Sequence, residues 1–340
     1  MGILYKTLKK IIFLFPPETA HHLSLSLLKK TSHHLLHKIP HKPVQALGLT
    51  FKNPIGLAAG FDKNGDYIDC LGNLGFGFIE VGTITPEPQE GNPKPRLFRF
   101  SSKKALINRM GFNNKGVDYL VERLKERKYK GIVGVNIGKN SKTSLDEAVE
   151  DYLICIKKVY PYADYITINI SSPNTPHLRE LQQNSYLNRL LLAISTIRSL
   201  LAKESGVYKP LLLKISPDET HETEEAIVHA VLKHNIDGII ATNTSIDKSQ
   251  VKSLVHGEET GGLSGSPLFE RSNQTLSRLS NVLNSQHLLN NHNVLLVGVG
   301  GIMNIDHVKE KFLAGAKLVQ VYTGLVYQGP FWIKRLIKKL

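Results

Sequence analysis

Lysines and asparagines follow several short apolar segments of this sequence, and together they can bind an acidic heterocycle. Lys63 and Lys214 are costly to bury without an anion, although Lys63 has an alternative ion-pair partner in Asp62. Carboxamides offer the paired donors and acceptors that the amide edges of a flat heterocycle require. Each asparagine alone would more often form a turn or a cap, but five recur in this setting, with Thr242 and Thr244 beside the last: Asn108, Asn136, Asn169, Asn174 and Asn243. The series predicts a heterocyclic substrate under a heterocyclic cofactor.

Glycines near the end of the chain predict an anion site. Gly298, Gly300 and Gly301 follow one apolar segment, and Thr323 and Gly324 follow the next. Backbone N–H groups in such loops can surround a phosphate, because glycine permits close approach. The run GVGG alone is weak evidence, since it also forms tight turns. Its place after the seventh of eight apolar segments favours phosphate.

Ser172, in the segment NISSPNTP, is the candidate nucleophile or base. The pKa of a serine hydroxyl is too high for a base acting alone, so a water or hydroxyl relay would be needed. Nicotinamide-fold, NTPase and zinc chemistries lack their motifs: no GxGxxG follows a strand, and there is no P-loop lysine motif, HExxH or Cys/His cluster. Cys70 and Cys155 form no CxxC pair, so neither a metal site nor a disulfide framework is predicted.

Eight apolar segments of strand length must position these residues, since most of the residues stand where a segment ends. The candidate strands are 55–59, 76–81, 132–137, 165–170, 211–215, 237–241, 294–299 and 318–322. The candidate helices are 113–128, 144–160, 185–204, 219–234, 304–314 and 331–339. The pattern predicts an α/β protein, a closed (β/α)8 TIM barrel with its functional residues at one mouth. An open doubly wound sheet is the alternative.

Two connections are too long for plain loops between a strand and a helix. The first, 83–113, contains the proline-rich run TPEPQEGNPKPR, and the second, 171–185, follows the fourth strand. Long loops in a compact barrel are usually lids or binding loops. We therefore expect both to cover the substrate.

The first 43 residues differ from the rest. They carry seven lysines and six histidines against one acid, Glu18, and contribute much of the net charge of +14 of the 340-residue chain. A helix ending at Pro16-Pro17 is predicted by one apolar face: Leu4, Leu8, Ile11, Ile12 and Phe15. A second helix starting near Glu18 has its own apolar face: Ala20, Leu23, Leu27 and Leu28.

This basic, amphipathic helical hairpin has three interpretations. It can lie in a membrane interface with its lysines near anionic headgroups, or it can pack on the body with its lysines in water. Nucleic-acid binding is the third, but the basic residues lack interleaved aromatics and a recognisable motif. No apolar run approaches a membrane span or the core of a signal peptide, so neither is predicted.

Ten motifs resemble the dihydroorotate dehydrogenase family and span nearly the whole predicted barrel. They are AAGFDKNG (58–65), EVGTITPEPQEGNPKPRLFR (80–99), INRMGFNN (107–114), VNIGKN (135–140), NISSPNTP (169–176), LLLKISPD (211–218), ATNTS (241–245), GGLSG (261–265), GVGGI (298–302) and QVYTG (320–324). The resemblance implies oxidation of (S)-dihydroorotate to orotate in pyrimidine (UMP) biosynthesis, with FMN as hydride acceptor. Another FMN-dependent barrel oxidoreductase acting on a flat acid is the alternative.

The resemblance extends to the family's class 2, which has a serine base and an N-terminal helical extension that admits a membrane quinone. Ser172 and residues 1–43 match those two features. It implies an extension at 1–43, a catalytic barrel at 44–340, and peripheral attachment to the cytoplasmic side of the cell membrane. It does not identify the quinone, or any role for the Asn-rich segment 281–293.

Residue roles carry over by motif position. The implied mechanism has Ser172 removing the C5 proton, Lys63 pairing with the substrate carboxylate and Lys214 stabilising the reduced flavin. His21 and Arg99 resemble positions at the quinone site. The implied substrate contacts are Lys63, Asn108, Arg109, Met110, Gly111, Phe112, Asn169, Asn174, Asn243 and Thr244. The implied FMN contacts are Ala59, Gly60, Phe61, Asp62, Lys63, Thr83, Asn136, Asn169, Lys214, Thr242, Gly265, Gly301, Tyr322 and Thr323.

Overall fold

Strands and helices alternate along most of the chain, as the predicted repeats require. The computed structural model describes residues 2–32, 41–286 and 293–340, so 33–40 of the predicted extension and 287–292 of the Asn-rich segment lie outside the described residues. In chain order the elements are α1 (Gly2–Ile12), α2 (Pro17–Thr31), β1 (Val44–Ala46), β2 (Leu49–Phe51), β3 (Ile55–Leu57), α3 (Ile68–Gly72), β4 (Phe78–Ile84), β5 (Leu97–Phe100), β6 (Ala105–Asn108), α4 (Val117–Glu126), β7 (Ile132–Ile137), α5 (Ala148–Val159), β8 (Tyr165–Asn169), α6 (Asn184–Ser205), β9 (Leu211–Ile215), α7 (His221–Lys233), β10 (Gly238–Ala241), β11 (Gly262–Gly265), α8 (Phe269–Gln286), β12 (Leu295–Val299), α9 (Ile305–Leu313), β13 (Leu318–Val321), α10 (Thr323–Gln328) and α11 (Phe331–Lys339).

Eight of these strands form a closed parallel barrel in the order β3, β4, β7, β8, β9, β10, β12 and β13. The last pairs with the first, with Val319 opposite Ile55 and Val321 opposite Leu57. The strands are nearly continuous apolar runs because their outer faces lie under helices. The predicted (β/α)8 barrel is confirmed, and the open-sheet alternative is wrong because the sheet closes.

Aromatic side chains fill the end of the barrel where the strands begin. The ring of Phe78 packs edge-on against Phe51 from the β1–β2 hairpin, with ring centres 5.2 Å apart, and against Tyr165 at 6.3 Å. All three side chains are buried. Because this end is filled, we expect a ligand to bind at the opposite mouth, where the strands end.

The six predicted helices are present as α4, α5, α6, α7, α9 and α11, and most are shorter than predicted. The start of α4 moves from 113 to Val117 because Asn114 folds the preceding residues into a turn. Its side chain donates to the Phe112 carbonyl at 2.6 Å and accepts from the Gly116 N–H at 2.8 Å. The sequence reasoning missed α3, α8 and α10; α8 is rich in Ser and Asn, which favour helices weakly.

A small antiparallel sheet, in the order β11, β6, β5, was also not predicted. The loop 83–113, expected only as a cover, supplies β5 and β6, and β11 joins them from far along the chain. Asn108 pairs with Gly262, and Ala105 with Gly265. Local patterns do not reveal such long-range pairing. The sheet brings Asn108 and Gly265 to the barrel mouth.

The two predicted N-terminal helices are confirmed as α1 and α2. In α2 only Ala20 and Leu25 are buried. Several apolar side chains of the hairpin are instead exposed: Ile11, Leu14, Phe15, Leu23 and Leu27. Among the residues that the structure describes, no helix combines the length and apolar character needed to cross a bilayer.

Candidate active site

A cavity of about 410 Å3 opens at the barrel mouth between the strand ends, the small sheet and α2. This volume lies within the range of small-molecule sites. Most of the residues singled out from the sequence line it: His21, Ala59, Gly60, Phe61, Asp62, Lys63, Thr83, Asn108, Met110, Gly111, Phe112, Asn169, Ser172, Asn174, Lys214, Thr242, Asn243, Thr244, Gly265, Gly301, Tyr322 and Thr323. Asn136, Arg109 and Arg99 are not among the lining residues.

A buried carboxylate, Glu80 on β4, sets the polarity of the site. Its side chain is fully buried, and its oxygens accept hydrogen bonds from four donors, among them the amide of Asn136 at 2.8 Å. The other three donors are Tyr165, Thr167 and Gln320. Because a carboxylate can only accept, Asn136 must turn its NH2 group toward Glu80 and its oxygen toward the mouth.

The orientation of Asn136 in turn determines how the next side chains in the hydrogen-bond series are oriented. The oxygen of Asn136 accepts from the Thr83 hydroxyl at 2.6 Å and from the Asn169 amide at 3.2 Å. The oxygen of Asn169 in turn accepts from Ser171 at 3.1 Å, and the Asn243 amide donates to the same serine hydroxyl at 3.0 Å. Asn136 therefore supports the cavity wall from behind rather than lining it.

Lys63 and Lys214 of the mouth form no ion pair with an acidic residue among the described residues. Burial lowers the pKa of Lys63 to about 8, while the charge of Glu18 acts against this. Burial also lowers the pKa of Lys214, and the charge of Glu80 partly opposes the effect. The alternative ion pair between Lys63 and Asp62 does not form, since the Asp62 carboxylate accepts backbone N–H groups of the next turn. Both lysines are therefore suited to an anionic ligand.

Ser172 lies at the edge of the cavity and is largely buried. Its hydroxyl oxygen accepts the backbone N–H of Asn174 at 3.3 Å. Arg179 fixes this loop, because its guanidinium donates to the Ser171 carbonyl at 3.2 Å and to the Thr244 carbonyl at 3.2 Å. No imidazole or carboxylate of the described chain hydrogen-bonds to Ser172, in keeping with the need for a relay.

Glycines in the loop after β12 and at the end of β11 leave backbone open to the cavity. Gly301 has a φ of 73° and Gly265 a φ of 96°, a region that favours glycine. A Cβ atom at Gly301 would lie 2.4 Å from Phe269, so no side chain fits there. Across the loop, the hydroxyls of Thr323 and Ser264 are 2.8 Å apart. This is the kind of open glycine loop that binds phosphate.

Two residues that line the cavity, Asn113 and Gln320, each have a buried side-chain oxygen with no hydrogen-bond partner among the described residues. Gln320 on β13 donates its amide to Glu80 at 2.7 Å, and its oxygen is buried without a hydrogen bond. Buried acceptors without partners are rare. Together with the partnerless Lys214 and the glycine loop, the Gln320 oxygen fits a phosphorylated heterocycle such as a flavin mononucleotide.

On the side of α2, aromatic rings connect the hairpin to the mouth. His21 packs edge-on against Phe61 with ring centres 4.9 Å apart, and Phe61 packs against Tyr322 at 5.2 Å. The Nε2 atom of His21 donates to the Phe61 carbonyl at 2.9 Å. Burial, with the charge of Lys63, lowers the pKa of His21 to about 3. His21 is therefore neutral near pH 7 and forms a largely apolar wall.

The ion pair of Glu18 and Arg96 attaches α2 to the barrel, with a nitrogen–oxygen distance of 2.8 Å. Burial alone would raise the pKa of Glu18, but the hydrogen bond and charge of Arg96 lower it overall. Arg99 acts further out, where it donates to the Phe13 carbonyl at 2.6 Å and lies over the Phe13 ring. It therefore fixes the turn between α1 and α2 and does not reach the cavity.

Arg109 also points away from the cavity. It pairs with Glu259 at 2.5 Å and donates to the Pro95 carbonyl at 2.8 Å. Sequence reasoning missed two residues that matter more, Glu80 and Gln320. The available signal was a polar residue in the middle of an apolar strand, which requires buried partners.

The closed barrel and its polar mouth place this chain among the (β/α)8-barrel enzymes. The family profile described as Dihydroorotate dehydrogenase matches residues 43–340. The chain belongs to this family, which consists of flavoenzymes.

Similar proteins cover almost the whole chain. It is 52% identical to a protein of Acinetobacter baylyi over 341 residues, covering 99% of this chain and 100% of that protein, and 50% identical to one of Vibrio cholerae over 343 residues, with the same coverage. Both are named Dihydroorotate dehydrogenase (quinone). Among solved structures it resembles the Eimeria tenella enzyme in complex with ferulenol, at 37% identity and a TM-score of 0.85, covering 95% of this chain and 90% of that one.

Proposed function

We propose that this chain oxidises (S)-dihydroorotate to orotate with bound FMN and passes the electrons to a membrane quinone. The observation that carries the proposal is a single cavity with two different sides. One side has partnerless lysines, oriented carboxamides and Ser172, and the other has the aromatic wall formed by His21 of α2 with Phe61 and Tyr322. A polar acid and an apolar oxidant would each find a matching surface.

On the polar side, Lys63 pairs with the substrate carboxylate, and Asn108, Asn174 and Asn243 bind the edges of the pyrimidine ring. The hydrogen bonds that run from Glu80 through Asn136, Asn169 and Ser171 orient the Asn243 amide, and Asn174 donates its amide to Asn108. Ser172 accepts the proton from C5 and transfers it onward to water or a hydroxyl. Burial of the lysine and the carboxamides strengthens each contact, because little water competes there.

When bound, FMN would supply the acceptor for the hydride that leaves C6 and would carry two electrons to the quinone. The glycine loop at Gly301 and the hydroxyl of Thr323 would hold its phosphate. Lys214 and the free oxygen of Gln320 would hold the edges of its ring. Lys214 provides positive charge where the ring gains electrons.

The hairpin provides the route by which the quinone, the final oxidant, reaches the cavity. Its exposed apolar side chains and its lysines suit an anionic membrane surface, and His21 and Phe61 form an apolar wall between that surface and the mouth. Peripheral attachment on the cytoplasmic side of the membrane follows from this assignment. Quinone would then reach the cavity without crossing water.

An anaerobic stopped-flow measurement tests the proposal. Mixing the purified yellow protein with dihydroorotate should bleach the flavin absorbance, and a short-chain quinone added next should restore it. Mass spectrometry of the released cofactor should give FMN. Bleaching without recovery would contradict the quinone assignment, and absence of any flavin after incubation with FMN would contradict the cofactor assignment.

A further inference from the structure

Lys311 on α9 is a fully buried lysine outside the cavity. Its ammonium group donates to the hydroxyl of Ser272 at 2.6 Å and lies 5.4 Å from the centre of the Phe269 ring. The sequence pattern placed this residue in a helix and gave no reason for a charge to be buried there. Buried charges are usually paired or bound to a ligand.

No acidic residue of the described chain forms an ion pair with Lys311. Glu270 and Glu310 are the acids whose charges act on it, and both are exposed. Burial outweighs these charges and lowers the pKa of Lys311 to about 7. The folded chain therefore holds a cation, or a group close to becoming one, without an anionic partner among the described residues.

Lys311 lies directly behind the glycine loop. Its partner Ser272 donates to the carbonyl of Val299, the residue before Gly300. A Cβ atom on Gly300 would lie 2.8 Å from the Ser272 hydroxyl, and one on Gly298 would lie 2.9 Å from the Lys311 side chain. The backbone of the glycine loop thus lies between the ammonium group and the cavity.

We propose that Lys311 is the buried counter-charge for the phosphate of the cofactor, acting across the Val299–Gly301 backbone, an inference that rests on the proposed FMN function. The lysine holds Ser272, and Ser272 holds the loop carbonyl that fixes the direction of the loop. Its charge also acts on a phosphate through a medium that screens poorly. Lys311 is a positioning residue and does not contact the substrate.

The test compares two flavins that differ in the phosphate. Flavin-free protein is prepared from wild type and Lys311→Met, and its affinity is measured for FMN and for riboflavin by quenching of flavin fluorescence. We expect Lys311→Met to weaken FMN binding by about tenfold or more and to change riboflavin binding little. Lys309→Met is the matched control, since Lys309 is an exposed lysine on the same helix, and it should leave both affinities unchanged.

Thermal melting of the flavin-free proteins separates this role from simple packing. Replacing an unpaired buried charge with an apolar side chain is often neutral or stabilising, so Lys311→Met should melt no earlier than wild type without flavin. It should gain less stability from FMN. If Lys311→Met does not fold, Lys311→Gln removes the charge and keeps a donor for Ser272.

An equal loss of affinity for both flavins would overturn the inference in favour of a structural role for Lys311. An unchanged preference for FMN in Lys311→Met and Lys311→Gln would also overturn it. Wild-type protein that binds neither flavin would overturn both this inference and the FMN assignment. The two failures are therefore distinguishable.

Discussion

Polar side chains are usually exposed and apolar ones buried, and the barrel mouth and the N-terminal hairpin each break one half of this rule. In the mouth, polar groups are buried: Glu80 is fully buried and Lys214 is 5% exposed. In the hairpin, apolar groups are exposed: Leu14 is 83% exposed and Ile11 52%. Buried polar groups require partners, and clustered exposed apolar groups indicate an apolar partner. The difference separates a site for a polar ligand from a surface that suits an apolar partner.

The two regions meet where α2 packs on the mouth. His21 of α2 reaches the Phe61 carbonyl, and Glu18 of α2 pairs with Arg96. Because neither contact involves Ser172 or the carboxamides of the mouth, a change in one region should leave the chemistry of the other intact. Variants in one region therefore test whether the two regions act independently.

The largest effect is expected from Ser172→Ala. Loss of a catalytic base typically slows a reaction by about a hundredfold to ten-thousandfold, so reduction of the bound flavin by dihydroorotate should slow by that range. Flavin content should not change. Stopped-flow absorbance measures both. Ser144→Ala, in an exposed loop, is the control. Flavin reduction at the wild-type rate in Ser172→Ala would contradict the assignment of Ser172 as the base.

Reversal of two hairpin charges should have the next largest effect. Lys10 and Lys30 are exposed, and each lysine near an anionic surface contributes about 1 kcal/mol. Lys10→Glu with Lys30→Glu should therefore weaken binding to phosphatidylserine-containing vesicles at least about thirtyfold. Vesicle co-sedimentation at two salt concentrations measures it.

The matched control places the same charge change at the opposite end of the barrel. Lys203 and Lys233 are exposed near the ends of α6 and α7. Lys203→Glu with Lys233→Glu should bind vesicles like wild type. Equal losses in the two double variants would show that only net charge matters and would contradict a membrane role for the hairpin.

Mild acid should loosen the hairpin from the barrel. The docked His21 has a pKa of about 3, whereas a detached one returns toward 6.5, so the detached state binds more protons as pH falls below 6.5. Docking is then fully stable above pH 6.5 and weakens by up to about tenfold by pH 5.5. Glu18 acts in the same direction only below 4.5, its ordinary pKa.

Hydrogen exchange checks this pH effect. After correction for intrinsic rates, protection of α2 amides should fall between pH 6.5 and 5.5 while that of α5 amides does not. His21→Phe keeps the ring and removes the titrating group, so its α2 protection should depend less on pH. An identical pH dependence in wild type and His21→Phe would contradict the effect.

The sequence was most informative where function follows local pattern. Apolar segments predicted the barrel, and residues at their ends, such as Lys63 and Asn243, do line the mouth. It was least informative where contacts are distant in sequence. The pairing of β6 with β11 was not predicted, and neither was the direction of Arg109, which a remote partner, Glu259, determines.

Buried charges form a third case. Glu80 and Lys311 each lie in an element whose type was predicted, but neither was recognised as functional. A strand or helix pattern records which residues are apolar, and it does not record what a single buried charge faces. That information requires the packed structure, because the four donors to Glu80 come from three other strands, β7, β8 and β13.

The most direct test of the account is a double-mixing stopped-flow experiment on Ser172→Ala and His21→Phe. We expect each variant to slow a different half-reaction. Ser172→Ala should be reduced slowly by dihydroorotate but, once reduced with dithionite, be reoxidised by quinone at the wild-type rate. His21→Phe loses the hydrogen bond that fixes α2 to the Phe61 carbonyl, so it should be reduced normally and reoxidised slowly. If either variant slows both half-reactions equally, the mouth and the hairpin do not have separate roles, and the account is wrong.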